Sequence, residues 1–128
     1  MLAMSHLLVV EDDADSRDAL CELLARMGHH VDCEANGLQA LYKVCTDTPD
    51  LVVLDLSLPQ MDGAKFLEII RSYLRLQSVP VIVWTGMMGN PIVEKAKSFH
   101  VDAVVPKGQA NYSELLEAIK RSLGPIKN

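Results

Sequence analysis

The stretch Asp50-Leu51-Val52-Val53-Leu54-Asp55-Leu56-Ser57-Leu58-Pro59-Gln60-Met61-Asp62-Gly63 decides how this chain folds. Four apolar residues, Leu51 to Leu54, run straight into a carboxylate. A run so short and so uniformly apolar, bounded by Pro49-Asp50 and by Pro59, predicts a strand buried on both faces, as in a parallel sheet. Such a strand delivers Asp55 to the carboxyl edge, where open α/β sheets bind ligands. Pro59 and Asp62-Gly63 mark a loop before the next helix. An aspartate alone at a strand end reads most simply as a turn former or cap, so the neighbours decide its meaning.

Upstream, Leu7 to Val10 predicts a strand that stops at three acids, Glu11-Asp12-Asp13. A helical stripe follows over Ala14–Met27, with apolar residues at 19, 20, 23, 24 and 27. Asp13 or Asp15 caps its start, and Gly28 closes it. Val31 and Cys33 alternate with polar neighbours, as in a half-exposed strand. After the turn signal Asn36-Gly37, the residues Leu38, Leu41, Tyr42 and Cys45 predict the inward face of a short second helix.

Downstream, Phe66, Leu67, Ile69, Ile70 and Leu74 predict a third helix. Val79 to Trp84 is a fourth strand with Pro80 near its start, where a missing N–H matters least; it ends at Thr85-Gly86. The loop Gly86-Met87-Met88-Gly89 leads to Asn90-Pro91, a cap followed by a first-turn proline. That helix reaches about Phe99. Val101 to Val105 is the fifth strand, ending at Pro106-Lys107-Gly108. Asn111 opens the last helix with Glu114 as its capping-box partner. Leu115, Leu116, Ile119 and Leu123 face inward, and Gly124-Pro125 stops it.

A chain of 128 residues suits one domain with one hydrophobic core. The net charge of −5 and the lack of any basic run argue against direct nucleic-acid binding. No apolar run approaches the length of a membrane span. Cys21, Cys33 and Cys45 show no CxxC or metal spacing. Three is an odd number and no signal peptide precedes them, so reduced thiols in a cytoplasmic protein are expected. His6, His29, His30 and His100 are scattered, which predicts surface or strand-start positions rather than ligands.

Strict βα alternation predicts a doubly wound α/β domain: a five-stranded parallel sheet in the order 2-1-3-4-5 with helices on both faces. The strongly apolar first, third and fourth strands belong inside, and the polar second strand at an edge. Glu11-Asp12, Asp55, Thr85 and Lys107 then converge on one rim. Crowded carboxylates repel one another unless a cation sits among them. An all-oxygen set with solvent access suits Mg²⁺. A carboxylate can also act as a nucleophile toward phosphorus and form an acyl phosphate, with a metal ion and a lysine such as Lys107 balancing the incoming charge. A hydroxyl such as Thr85 can bond a third oxygen. Asp55, solitary on the central strand, suits the nucleophile; the paired acids suit the metal.

Taken together, Val10-Glu11-Asp12-Asp13, Asp55 within Leu54 to Gly63, Thr85-Gly86 and Lys107 resemble the receiver domain of two-component response regulators, a flavodoxin-like fold, over essentially the whole chain. The resemblance implies that Asp55 is the phosphoacceptor. It also implies Mg²⁺ held by Asp12 directly, by Glu11 through water, by Asp55 and by the backbone carbonyl of Ser57. Thr85 and Lys107 would hold phosphoryl oxygens. The implied donor is a phosphohistidine on a histidine kinase or phosphotransfer protein, so the chain would catalyse only its own phosphorylation and dephosphorylation. A downstream target would dock on the face made by the helix from Pro91, the fifth strand and the last helix. A phosphorylation-linked homodimer is a further option.

Departures from the pattern are specific. The proline adjoining the lysine is Pro106, before it, and Gly108 follows. Val104 stands where many receivers carry a switching aromatic, Gly86 where alanine is usual, and Trp84 where the residue is usually aliphatic. No output domain follows within the sequence, so a single receiver over residues 1–128 is expected, either stand-alone or from a larger regulator or hybrid kinase. The alternative is a phosphorylation-independent interaction module with the same fold. A phosphatase that pairs its nucleophile with a second aspartate two residues on would have Ser57 there instead. An FMN site would meet an acidic first βα turn, which repels phosphate.

Overall fold

The computed structural model describes residues 5–108 and 112–124. Five strands, β1 (His6–Val10), β2 (His30–Glu34), β3 (Leu51–Leu54), β4 (Val81–Thr85) and β5 (Ala103–Pro106), alternate with five helices. These are α1 (Ala14–Arg26), α2 (Gly37–Thr46), α3 (Gly63–Ser72), α4 (Pro91–Lys97) and α5 (Ser113–Leu123). All pairings are parallel and the order is β2-β1-β3-β4-β5, as the alternation predicts. Every residue of β3 and β4 is buried, whereas the edge strand β2 has none fully buried.

The sheet divides the core in two. Leu8, Val10, Val52, Leu54, Val81 and Val83 pack with α2, α3 and α4 on one face. Leu7, Val9, Val53, Ile82 and Trp84 pack with α1 and α5 on the other. Alternation of side chains along each strand makes this division. It also explains why apolar periodicity in β3 and β4 is invisible: both faces are covered.

Helix starts follow the capping rules. The side chains of Asp13, Asn36, Asp62 and Asn90 accept hydrogen bonds from backbone N–H groups of Ser16, Gln39, Lys65 and Ile92. Gly28 takes φ +99° just after α1, a conformation that favours glycine. Asn111 and Pro125, expected to bound α5, lie outside the described residues; Tyr112 precedes the helix without a side-chain capping bond.

Several inward faces differ from the sequence expectation. On α2 the buried residues are Gly37, Ala40 and Val44, while Leu38 and Tyr42 are exposed and Cys45 is at the surface. A small-residue face lets α2 sit close to the sheet, with the bulky residues outside. Leu74 is exposed and Leu76 is buried in its place, because α3 ends at Ser72 and the chain turns. Arg71 holds that turn by donating to the carbonyls of Val79 at 2.8 Å, Phe99 at 2.8 Å and His100 at 2.9 Å. Met27 and Ala19 also face outward. α4 ends two residues before Phe99, β4 begins at Val81 rather than Val79, and β5 begins at Ala103 rather than Val101.

The expectation of three reduced thiols is corrected. Cys21 on α1 and Cys33 on β2 form a disulfide, with Cα atoms 6.8 Å apart, leaving Cys45 free. Helix α1 packs over the face of β2 that carries Val31 and Cys33, and this brings together two cysteines 12 residues apart. Their spacing matches no motif, so only the packing of α1 on the sheet edge pairs them.

Candidate functional site

The carboxyl ends of β1, β3, β4 and β5 meet at one rim. Asp55 follows the last residue of β3, its N–H donating to the Val10 carbonyl at 3.0 Å. Glu11 follows β1 and donates from its N–H to the Glu34 carbonyl at 3.0 Å. Sheet hydrogen bonding thus carries past the strand ends and fixes both acids. Glu11 is 1% exposed and Asp55 4%, whereas Asp12 points to solvent. Oxygens of the three carboxylates lie within 4.8 Å of one another.

Among the described residues, one ammonium answers this charge. Lys107, just after β5, donates to Glu11 Oε1 and lies 3.4 Å from Asp55 Oδ2. Its position is set by a backbone bond from its N–H to the Thr85 carbonyl, 2.8 Å. The same ammonium sits 4.8 Å from the ring centre of Trp84, a cation–π distance. Burial pushes the Glu11 carboxyl above the usual carboxylate range; Lys107 pulls it back and Asp55 adds to the rise. An acid so placed is ill at ease as an anion without a further cation.

Thr85 is fully buried at the end of β4, and its Oγ1 accepts from the Met87 N–H at 2.9 Å. Ser57 lies in the loop after Asp55, where its N–H donates to Asp55 Oδ1 at 3.2 Å. Beside Gly86 there is open space where a side chain would stand. The rim therefore joins Glu11, Asp12, Asp55 and Lys107 directly, with Ser57 and Thr85 on its border.

Two contributors escape sequence reading. Arg17, one turn into α1, donates to the carbonyls of Glu11 at 3.1 Å and Asp12 at 3.4 Å, clamping the acid pair from below. Its place four residues after the capping Asp13 is the only sequence signal for it. Gly63 packs against the backbone beneath Asp55: a Cβ there would lie 2.6 Å from the Asp55 carbonyl oxygen and 2.7 Å from Leu56 Cα. The glycine is legible as a turn residue, but the close approach belongs to the tertiary fold.

The donor set is all oxygen, partly buried and partly open, and short of positive charge. These are the properties that Mg²⁺ requires.

A family model described as the response regulator receiver domain matches residues 7–120. The chain is 32% identical to a chemotaxis protein CheY of Bacillus subtilis over 124 residues, covering 94% of this chain and 99% of that one. It is 39% identical over 84 residues to a protein-glutamate methylesterase/protein-glutamine glutaminase of Anaeromyxobacter dehalogenans. That match covers 66% of this chain and only 23% of the relative. Among solved structures, a CheY-like response regulator receiver domain protein from Methanospirillum hungatei superposes with a TM-score of 0.86 at 28% identity, covering 94% of each chain.

Proposed function

This chain belongs to the response regulator receiver domain family, and we propose that it is a phosphoacceptor module in which Asp55 takes a phosphoryl group from a phosphohistidine. The observation that carries the reading is Asp55 itself. It is buried at the end of the central strand, with an ammonium 3.4 Å from one oxygen and two further carboxylates beside it.

An Asp55 oxygen attacks phosphorus as the phosphorus–nitrogen bond to the donor imidazole breaks, giving an acyl phosphate. The Ser57 N–H orients the other Asp55 oxygen. Lys107 is already near Asp55 and turns from Glu11 toward the phosphoryl oxygens. Thr85 has its acceptor lone pair engaged by Met87 and so keeps its hydroxyl hydrogen to donate. Glu11, Asp12, Asp55 and the Ser57 carbonyl would hold Mg²⁺, which when bound offsets the charge of three acids and a phosphoryl group. The partner class is a histidine kinase or phosphotransfer protein.

The output passes through the loop after β4. Thr85 Oγ1 holds Met87 N–H, the Met87 carbonyl holds Asn90 N–H at 2.9 Å, and Asn90 caps α4 through Ile92. A shift of Thr85 toward the phosphoryl group therefore pulls on the start of α4. The face of α4, β5 and α5 is the docking surface for a downstream target. Val104 on β5 is half-buried against the core and too small to act as a swinging relay.

Incubation with Mg²⁺ and a small acyl phosphate, followed by intact mass measurement, tests the reading. One phosphoryl group is expected on the parent protein and none on Asp55→Asn, which is nearly isosteric and keeps the fold. Undiminished labelling of Asp55→Asn, at another residue, would overturn it.

A further inference from the structure

The opposite end of the sheet holds a second cluster with metal-binding chemistry. His6 opens β1 and His30 opens β2, and the two are register partners in the parallel pair. Asp32 lies two residues beyond His30 and so projects on the same face. The donor atoms of His6, His30 and Asp32 lie within 4.8 Å of one another. Both imidazole Nε2 atoms aim at one oxygen, Asp32 Oδ2, at 2.5 Å from His6 and 3.8 Å from His30. The rings are 4.9 Å apart.

We propose that His6 Nε2, His30 Nε2 and Asp32 form a zinc site at the amino-terminal edge of the sheet, with water as the fourth ligand. Two imidazoles and a carboxylate are a borderline-soft set that suits Zn²⁺ and not the Mg²⁺ of the acidic rim. Tetrahedral coordination brings ligand atoms to about 3.3 Å from one another, given zinc–nitrogen bonds of about 2.0 Å. His30, with a side chain 61% exposed, is free to close from 3.8 Å, while the direct His6–Asp32 contact at 2.5 Å opens to admit the ion.

The surroundings suit this role. The His6 backbone is fixed, its N–H donating to Asp50 Oδ2 at 2.7 Å and its carbonyl accepting from the Asp50 N–H at 2.7 Å. Asp47 Oδ1 lies 3.9 Å from His6 Nδ1. That is beyond hydrogen-bonding distance, but an approach of about 1 Å would let Asp47 accept from Nδ1 and leave the Nε2 lone pair for metal, the carboxylate–histidine–metal arrangement. Lys43 is the competitor, 3.4 Å from Asp32 Oδ2. It has an alternative partner in Asp47 Oδ2 at 3.8 Å, so a metal ion displaces it without stranding its charge.

Calorimetric titration of ZnCl₂ into the full chain carrying Asp12→Ala and Cys45→Ser tests the site, because those changes take one carboxylate from the Glu11–Asp12–Asp55 rim and remove the exposed thiol. Expected are one-to-one binding and, with Co²⁺ in place of Zn²⁺, the visible absorption of a four-coordinate ion. Adding His30→Ala, at an exposed position, abolishes the cobalt spectrum. Adding Asp47→Asn weakens Zn²⁺ binding about 10-fold, as loss of an orienting carboxylate does, and Lys43→Met tightens it. No binding in this background, or binding unchanged by His30→Ala, overturns the proposal. Phosphorylation of Asp55 is measured separately and bears on neither outcome.

Discussion

The strand β1 joins two charged clusters that differ in burial as well as in donor type. At its carboxyl end, Glu11 and Asp55 are sealed from water with Lys107 as the ammonium between them. At its amino end, Asp32 is 22% exposed and is met by His6, His30 and Lys43. The two acids respond in opposite directions. Burial lifts the Glu11 carboxyl above its ordinary value. Burial is the largest single influence on Asp32 and raises it too, but the contacts with His6 and Lys43 together outweigh it and hold the carboxyl below its ordinary value. The carboxyl end therefore stores unmet demand for positive charge on buried acids, whereas the one acid of the amino-end trio, Asp32, already has Lys43 beside it, which an incoming metal ion must displace. A phosphoryl site needs the first condition, since it must recruit a cation along with each negative group.

The largest structural effect is expected where the rim depends on close packing. Gly63→Ala places a methyl group against the backbone of Asp55 and Leu56. Overpacking of this kind costs about 3 kcal/mol, or roughly a 10 °C fall in melting temperature. An equivalent change at Gly28, which has open space around it but a positive φ, should cost only about 1 kcal/mol. Equal melting temperatures for the two variants would show that the backbone beneath Asp55 gives way to a methyl group.

Mg²⁺ separates the two ends next. Ligand at a hundred times its dissociation constant stabilises the native state by about 2.7 kcal/mol. Denaturant midpoints should rise with Mg²⁺ in the parent protein and stay flat in Asp12→Ala. Asp32→Asn should leave the response intact, since Asp32 lies at the other end.

Titration of stability gives smaller effects of opposite sign. Glu11 has a folded-state pKa above 4.5, so without metal its contribution to stability falls as pH rises through that interval and stays low above it. Asp32 has a folded-state pKa below 3.8, so its contribution is present above that value and is lost as pH falls through the folded one. Part-exposed pairs like those of Asp32 contribute about 1 kcal/mol or less. Denaturation in chelator from roughly pH 3 to pH 7 should show the Glu11 decline vanish in Glu11→Gln, and the acid-side loss shrink in Asp32→Asn. Matching slopes in both variants would erase the contrast.

The smallest signal is local exchange. With a phosphoryl analogue bound, amide hydrogen exchange should change in residues 86–99 and remain unchanged around His6, His30 and Asp32. This follows from the chain of bonds from Thr85 through Met87 and Asn90 to α4 and from the shortness of α4, seven residues. Changes confined to the amides beside Asp55, Thr85 and Lys107 would leave α4 outside the response.

What the sequence by itself determined is the order of elements and the rim. Strand type, parallel topology and the convergence of Glu11, Asp12, Asp55, Thr85 and Lys107 follow from apolar runs and strand ends, which are local properties read along the chain. Caps at Asp13 and Asn90 are local too, while Asn36 and Asp62, legible as turn and loop residues, prove to cap α2 and α3. Tertiary structure alone decided which side of α2 lies inward, because a tight fit to the sheet favours Ala40 and Val44 over larger neighbours. It decided that Leu76 rather than Leu74 is buried, since Arg71 anchors the turn through carbonyls far along the chain. It paired Cys21 with Cys33, and it gathered His6, His30 and Asp32 by setting β1 beside β2 in one register. Contacts of this second kind join positions whose separation in sequence carries no period or motif, so only packing brings them to light.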